Sequence, residues 1–457
     1  MLPAAVISCL TAPRRRVFIT VVSFTCTFCT LFGNVKNSIR KLIRLQHLPV
    51  FFIAALLLFS YVTSAQQKNL DYFLEQGIQN SPLLKESNNN VLLNQIDSLR
   101  ILATYKPQVS AISNNYYAPV IHGYGYDEII TNIRNFNEQV SATKTFVGKK
   151  NLQIQFNGIQ LLNQSLYITR KITEQDLRRT IVAAYIAAYG SWRQYNFNDE
   201  IYKLLSKEDS IFKKLTQASV YRQTDYLTFL VTLQQQHLTI TQAKQQYQND
   251  YATLNYICGL VDTSYAILDS PRIALQQLPE YTNSIFYKKF VTDSLLLKNE
   301  SQQIGLTYKP KLSVTADGGF VSSLTYTPYK NFGFGAAVNL TIPIYDGNQR
   351  KLQYRRLNIL EQTRISNRNF YTNQYYQQIA QLSQQLQTTE QVISETREQL
   401  RYVRTLLEAN KKLLITGEVN IAEYIIAIGN YLNAQNTILQ NVIQKYQIIT
   451  QINYWNR

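Results

Sequence analysis

The stretch FGFGAAVNLTIPI, residues 332–344, alternates between two kinds of side chain. Its odd positions up to 341 hold glycine, alanine, asparagine or threonine. An alternation with period two is typical of a β-strand with one apolar face, and the stretch is longer than the ~9–11 residues that a strand needs to cross a membrane. We therefore expect a membrane strand, and its apolar face includes Phe332, Phe334, Val338, Leu340 and Ile342.

Three weaker β-segments accompany this strand. One precedes it at 312–327, and two lie much earlier in the chain, at 108–126 and 136–147. A helical stretch comes before each pair, at 70–104 and at 283–307, and a proline soon follows each helical stretch. Because proline cannot continue a helix, we expect each helix to end there and to lead into a pair of strands.

Segments of the first half recur in the second half. The recurring pairs are YKPQVS at 105–110 with YKPKLS at 308–313, KKL at 213–215 with KKL at 411–413, DYL at 225–227 with EYI at 423–425, and LNY at 254–256 with INY at 452–454. The last three pairs share an offset of 198 residues, and the first is offset by five more. The chain is therefore interpreted as a tandem duplication, with repeat 1 at 66–282 and repeat 2 at 283–457.

Each repeat continues with a long helical hairpin. The segments 148–219 and 347–417 contain no proline, and a helix of about 70 residues would be ~105 Å long. Gly417 suits the left-handed conformation that ends a helix, and Asn420 with Glu423 three residues later has the form of a capping box. Return helices are expected at 224–256 and 421–454.

Residues 1–65 are interpreted as a leader. They contain seven basic residues and no acidic ones, and an apolar run at 49–62 precedes small residues that end at Ala65. This pattern predicts a signal peptide that is cut after Ala65. An earlier apolar run at 17–33 is either a membrane span or evidence that the start codon is assigned too far upstream, and its polar content favours the second interpretation.

The cysteines agree with an exported protein that has no disulfide. Three of the four lie in the leader, which leaves Cys258 alone. A lone cysteine cannot form an intramolecular bridge, and no cysteine stands at the expected new N-terminus. A lipid anchor is therefore not expected.

Four strands in one chain cannot close a membrane barrel. An open sheet edge in lipid leaves backbone groups unpaired, and single-chain barrels have at least about eight strands. Several chains must therefore pool their strands, and the helices would pack side by side as a second, coiled-coil barrel below the membrane. A pore through both layers follows from this arrangement.

Tandem copies of helix, two strands and long helical hairpin resemble the TolC-like outer-membrane efflux channels of Gram-negative bacteria over residues 70–454. The motifs that carry the resemblance are YKP at 308–310, LTIPIYDG at 340–347 and the turn region 417–425. The resemblance implies a mainly α protomer with four membrane β-strands, and a homotrimer with a twelve-stranded outer-membrane barrel on a periplasmic α-barrel. It also implies contact with outer-membrane lipid, and partnership with an inner-membrane pump and a periplasmic adaptor protein. Repeat 1 departs from the exit motif, since it has Thr145 to Gly148 where repeat 2 has Pro343 and Asp346.

The resemblance also indicates where the periplasmic entrance lies. Glu423 falls six residues after Gly417, at the family position where an acidic ring narrows the entrance, and Asp225 is its counterpart in repeat 1. A carboxylate in the first turn also stabilises a helix N-terminus by about 0.3–1 kcal/mol. Both roles remain open for Glu423. The second acidic position of the family is Ile426 here, which puts a double ring in doubt.

The ends of the helical hairpins, 216–224 and 416–422, are the expected docking tips for the adaptor. Their residues include Ser219, Val220, Gly417 and Val419. Ser219 takes the place in repeat 1 that Gly417 has in repeat 2, and the hairpin ends are expected to be exposed, so that an adaptor would meet them end to end.

Enzymatic chemistry finds little support in the sequence, and no cofactor or metal is expected. After the leader the only histidines are His122 and His237, too far apart for a metal pair at helical spacing. Much of the net charge of +17 belongs to the leader, so nucleic acid is not an expected partner. The sequence therefore favours a passive exit duct of a tripartite efflux or type I secretion system, and the alternative is a periplasmic coiled-coil scaffold or adhesin without a pore.

Overall fold

The computed structural model describes residues 68–131, 133–262, 266–278, 280–323 and 328–455. The leader, the expected cleavage site after Ala65 and the apolar run at 17–33 lie outside the described residues.

The described residues form helices and one sheet. In chain order the elements are α1 (Leu70–Asn80), α2 (Pro82–Thr104), β1 (Gln108–Tyr117), the short α3 (Glu128–Thr131), β2 (Arg134–Phe146), α4 (Lys149–Gln217), α5 (Gln223–Ile257), α6 (Ile285–Thr307), β3 (Lys311–Ser322), β4 (Phe332–Thr341), α7 (Gln349–Thr416) and α8 (Ile421–Tyr454). Helices α4 and α7 have 69 and 68 residues, so each long segment is one uninterrupted helix, as the absence of proline predicts. Within the described parts of the chain, no helix combines the length and apolar character needed to cross a bilayer.

The sequence predicts one helix over 70–104, but the structure has two helices there, α1 and α2. Pro82 stands at the first position of α2, where its missing N–H costs nothing, and Ser81 between the helices accepts a hydrogen bond from the Leu84 N–H. The helix at the start of repeat 2 begins in the same way, because the Ser284 hydroxyl accepts from the Tyr287 N–H. Helices α2 and α6 both have 23 residues, so α1 is an additional element ahead of the shared order.

The four strands pair consecutively and antiparallel in the order β1-β2-β3-β4. The central pair β2–β3 joins the two halves of the chain, with Val140 opposite Gly318 and Ala142 opposite Ala316. Because neighbouring pairs along the ladder keep one register, each face of the sheet continues across all four strands. The outer edges of β1 and β4 have no partner strand among the described residues.

Three of the four strands are shorter than the sequence pattern suggests, while β2 (Arg134–Phe146) lies within two residues of the expected 136–147. Strand β4 ends at Thr341, opposite the first residue of β3, so Ile342 lies beyond the ladder. Pro310 precedes β3 and cannot donate to a ladder hydrogen bond, and Pro343 limits β4 in the same way. Strand β1 ends at Tyr117 instead of 126, just before Pro119, and β3 ends at Ser322 instead of 327.

The connection from β1 to β2 accounts for the change of repeat offset. It runs from 118 to 133, whereas the connection from β3 to β4 runs from 323 to 331. Strand β2 and the helices after it keep the offset of 198, so the five additional residues of the first half lie between the strands. A surface loop tolerates such an insertion far better than a paired strand or a packed helix.

Helix α4 is the centre of the helical region. It packs against α1, α2, α5, α6 and α8, while α7 packs against α6 and α8. One core cluster joins α1 to the middle of α4 and the end of α5, and it includes Phe73, Ile181, Tyr185, Tyr251 and Leu254. Cys258 lies in this cluster, and burial raises the pKa of its thiol to about 12.

Candidate functional site: the hairpin tips and the two faces of the sheet

Both hairpin tips turn through a left-handed residue. Gly417 has φ 79°, which confirms the expected helix end, and Ser219 at the equivalent place has φ 62°. The backbone N–H groups of Val220 and Glu418 donate to carbonyls in the last turns of α4 and α7, at Leu215 and Leu413. The two tips therefore share one backbone geometry although only one has glycine.

Ser219 is the strained member of this pair, because an L-residue in the left-handed region costs roughly 1–2 kcal/mol. Ser219→Gly should raise the free energy of unfolding by about 0.5–1 kcal/mol, and Gly417→Ser should lower it by about 1 kcal/mol. Urea unfolding of the purified protein measures both. Ala218→Gly is the control, since Ala218 has an ordinary φ of −79° and this change should destabilise.

The two carboxylates of the expected entrance each lie in the first turn of a return helix. The Glu423 N–H donates to Asn420 Oδ1 at 2.8 Å, and Asn420 Nδ2 donates to Glu423 Oε1 at 2.7 Å. This is a variant of the capping box, because the return bond comes from the side-chain amide instead of the backbone. Asp225 is half-buried in α5, and Arg222 at the N-cap of that helix makes no side-chain cap bond.

A tyrosine joins the two tips. The Tyr221 hydroxyl lies 2.5 Å from the Leu414 carbonyl oxygen and 2.9 Å from that of Val419. It therefore bonds to one backbone carbonyl at the end of α7 and to another in the turn that follows it. In addition, a Cβ placed on Gly417 would lie 3.2 Å from Val220 Cγ1, so the two turns are in contact.

An ion pair with a buried carboxylate lies behind the tips. Glu208 on α4 has a side chain that is 4% exposed, and its Oε1 is 2.6 Å from Lys411 Nζ on α7. A buried carboxylate is tolerated when it is paired, and removing its partner is costly. This pair fixes the first hairpin against the second about two helical turns from the tip.

An aromatic cluster completes the joint between the hairpins. Phe212 and Phe229 lie with ring centroids 4.4 Å apart, and Tyr424 of α8 packs against Phe212 at 6.0 Å. The Tyr424 hydroxyl is buried and has no hydrogen-bond partner in the described chain. Burial, and to a smaller extent the negative charge of Glu208, raises the pKa of Tyr424.

The expected docking residues differ in accessibility. Val220 is 47% exposed, and Ser219 and Gly417 are also exposed. Val419 is only 7% exposed, so the expectation that it lies on the exposed end of the hairpin is wrong. Val419 stands between Gly417 and the buried residue Ile421, and its carbonyl oxygen accepts from the Tyr221 hydroxyl of the other tip.

The register gives the sheet two chemically different faces. One face carries Phe332, Phe334, Val338 and Leu340 of β4 beside Phe320, Val314 and Leu312 of β3, and the β4 side chains are 61–88% exposed. The other face carries polar or small residues in the alternating rows, such as Ser141, Asp317 and Gly335. Towards β1 the first face also carries Glu138 opposite Phe320, and Glu138 accepts hydrogen bonds from Ser113 and Asn115. An exposed apolar face of this size needs a cover, and a membrane sheet with a water-filled interior has this alternation.

The described residues contain neither a metal-ligand cluster nor an exposed thiol. Among them, no group of three or more His, Cys, Asp or Glu side chains could hold a metal ion. The one buried thiol, Cys258, faces the Phe73 carbonyl oxygen at 3.4 Å and lies in the core. Its raised pKa disfavours the reactive thiolate.

The sequence pattern did not identify Glu208 or Tyr221 as residues of the tips. Glu208 is one of several acidic residues in α4, and nothing local distinguishes it. Tyr221 offers a weak signal, because it lies 198 residues before Val419, with which it bonds. The partner of each residue lies in the other half of the chain, so only the packed structure brings them together.

Comparisons with known proteins give matches at the level of structure. No protein-family model matches the chain, and the curated proteins give no match. Several solved structures match with a TM-score near 0.7. A structure of CusC, described in connection with transmembrane channel formation, has a TM-score of 0.69 at 12% identity and covers 85% of this chain and 92% of that one.

Two further structures come from named bacteria. The CmeC outer membrane channel of Campylobacter jejuni gives a TM-score of 0.67 at 13% identity, with 85% of this chain and 86% of that chain covered. The outer membrane protein VceC of Vibrio cholerae gives 0.67 at 12% identity, with 85% and 96% covered. The described chain therefore has the fold of the TolC-like outer-membrane channels.

Proposed function

We propose that this protein is a passive exit duct in an outer membrane, and that it serves a tripartite efflux pump or a type I secretion system. The observation that carries the proposal is the sheet with one exposed apolar face and one polar face, joined to two long helical hairpins. A duct needs lipid-compatible and water-compatible surfaces on the same strands. The fold shared with outer-membrane channels supports the same conclusion.

A homotrimer completes this duct. Four strands leave two open edges, on β1 and β4, and three chains would close them into a barrel of twelve strands. The helices would then form a periplasmic α-barrel. We also propose that the protomer arose by tandem duplication, which is supported by the recurring motifs, the matching serine caps of α2 and α6, and the left-handed residues at both tips.

The proposal is tested by conductance in planar lipid bilayers. Protein refolded from residue 66 onward should give stepwise currents in multiples of one trimer. Folded protein that enters the membrane and stays silent would reject the duct and favour the coiled-coil scaffold or adhesin. Energy and choice of substrate would come from the pump and the adaptor, so no turnover of substrate by this chain is expected.

Glu423 is proposed to narrow the periplasmic entrance. Threefold symmetry would bring three copies together, and like charges in a constriction attract cations. Glu423→Gln should lower the preference for cations by roughly fivefold, since one unit charge a few ångströms away in water is worth about 1 kcal/mol. The glutamine oxygen keeps the bond from Asn420, so the trimer should remain intact.

Reversal potentials across a salt gradient measure this effect, and Glu418→Gln is the matched control because it removes an exposed carboxylate five residues away. Asp225→Asn tests the equivalent position of repeat 1. A reversal potential that is the same in Glu423→Gln and in the unchanged protein would leave Glu423 as a helix-end residue only.

Val220 is proposed to contact a periplasmic adaptor. Val220→Asp should reduce cross-linking to the adaptor by about tenfold, the effect of losing a contact worth about 1.4 kcal/mol. Val231→Asp is the control, since Val231 is 70% exposed on α5 but lies away from the tip. Equal cross-linking in both variants would place docking elsewhere.

A further inference from the structure

The sheet carries very different charges at its two ends. The starts of β1 and β3 and the ends of β2 and β4 share one end, because the strands are antiparallel. Eight basic residues lie on or beside this end, and we call them the cationic collar: Lys106, Lys144, Lys149, Lys150, Lys309, Lys311, Arg350 and Lys351. Asp346 is the acidic residue among them. At the other end, the two acidic residues Asp127 and Glu128 and the two basic residues Arg134 and Lys330 balance in number.

The collar charges have little compensation within the protein. Lys106, Lys149, Lys150, Lys309 and Lys351 are exposed, and none takes part in an ion pair or side-chain hydrogen bond among the described residues. The carboxylate of Asp346 does not pair with these lysines, and its Oδ2 accepts from the backbone N–H of Arg350 at 2.7 Å. The guanidinium of Arg350 lies over the ring of Tyr308 at 5.4 Å, which holds Arg350 beside the entry to β3.

Two pairs of these cations stand where a helix disfavours them. Lys149 and Lys150 open α4, Arg350 and Lys351 open α7, and neither first turn contains an acidic residue. The N-terminus of a helix carries partial positive charge, so basic residues there are unfavourable in the isolated protein. Asp346 partly compensates this at the start of α7, but the first turn of α4 has no acidic residue, and its two lysines therefore indicate an external anion.

The apolar face of the sheet ends directly at the collar. Its last row is Phe146, Leu312 and Leu340, which are 41–61% exposed. Lys144 lies one row further in, beside Val314, and is half-buried. A lysine in this position extends its stem along the apolar surface and places its ammonium at the edge.

We propose that the cationic collar binds the headgroups of anionic phospholipids in the membrane leaflet nearest the helices. The apolar face would contact the acyl chains, and the collar would lie at the depth of the phosphates directly below them. This inference rests on the membrane location stated under the proposed function. Basic residues near an anionic lipid surface are attracted to it, and the attraction is screened by salt.

The test measures the lipid that remains bound to the full mature chain in a neutral detergent. The protein is mixed with equal amounts of dioleoylphosphatidylglycerol and dioleoylphosphatidylcholine, and bound lipid is counted by native mass spectrometry. The unchanged protein should retain the anionic lipid in preference. The combined change Lys106→Gln, Lys149→Gln, Lys150→Gln and Lys309→Gln should weaken this retention at least about tenfold.

The matched control removes four other exposed lysines that have no ion pair among the described residues: Lys207, Lys213, Lys244 and Lys412, each changed to Gln. It should retain the anionic lipid as the unchanged protein does. Equal retention of both lipids by the unchanged protein, or equal losses in both quadruple variants, would overturn the inference. If the collar variant fails to fold, Lys149→Gln with Lys150→Gln gives the same comparison.

Two further arms separate the explanations. Inorganic phosphate should displace the lipid no better than chloride at the same ionic strength, and stronger displacement would show a site for free anions instead of a lipid surface. Conductance is recorded in parallel in phosphatidylcholine bilayers. If channels form but the anionic lipid is not preferred, the lipid-binding collar is refuted and the duct stands. If the anionic lipid is preferred but no channels form, the duct is refuted and a membrane-binding collar stands.

Discussion

Ala336→Arg should prevent assembly of the proposed membrane barrel, whereas Ala337→Arg should be tolerated. The two alanines are neighbours in β4, and both are exposed. Ala336 pairs with Ala316 in the middle of the apolar face, while Ala337 pairs with Thr315 on the polar face. An arginine on the lipid side near the membrane centre costs about 2–4 kcal/mol per chain, but on the polar side its charge stays in water.

This pair of variants tests which face of β4 contacts the lipid, because the substitution, the strand and the depth along the strand are nearly the same in both. The measurement is the yield of heat-sensitive trimer after refolding into lipid vesicles, followed by urea unfolding. We expect little trimer for Ala336→Arg and nearly unchanged trimer for Ala337→Arg. The reverse order would show that the polar face contacts the lipid, and equal yields would contradict a membrane role for this strand.

Gly319→Ala should separate the two halves of the sheet. An added Cβ at Gly319 would lie 2.6 Å from Gln139 Cα and still closer to the Glu138 carbonyl oxygen, both in the backbone of β2. Backbone atoms of a paired strand cannot turn aside as a flexible side chain can, so the strands must move apart. We expect a loss of about 3 kcal/mol in the free energy of unfolding.

Gly333→Ala is the matched control for this change. Gly333 lies opposite Gly319 in the register of β3 and β4, and an added Cβ there meets nothing within 4 Å. Its free energy of unfolding, measured with urea, should therefore stay within about 0.5 kcal/mol of that of the unchanged protein. Equal midpoints for the two alanine variants would show that β2 and β3 are not packed as closely as described.

Several features of the fold follow from local sequence. The alternation at 332–341 determined strand β4, because side chains of a strand point to opposite faces in turn. The long stretches without proline determined α4 and α7, and Gly417 with Asn420 determined the second tip. Each of these signals depends on the conformational preferences of residues that are close in the chain. Pro82 carried a local signal as well, and it divides α1 from α2 where a single helix was expected.

Other features were decided by tertiary structure. The β2–β3 register, the Glu208–Lys411 pair and the Tyr221 bonds join residues roughly 170 to 200 positions apart. Val419 looks like an exposed turn residue in the sequence, but it is only 7% exposed where the two tips meet, and its carbonyl oxygen accepts from Tyr221 of the other tip. Local patterns fix which conformation each segment adopts and which of its faces is apolar. Which apolar faces meet depends on the balance of contacts across the whole chain, and no window of sequence contains both partners.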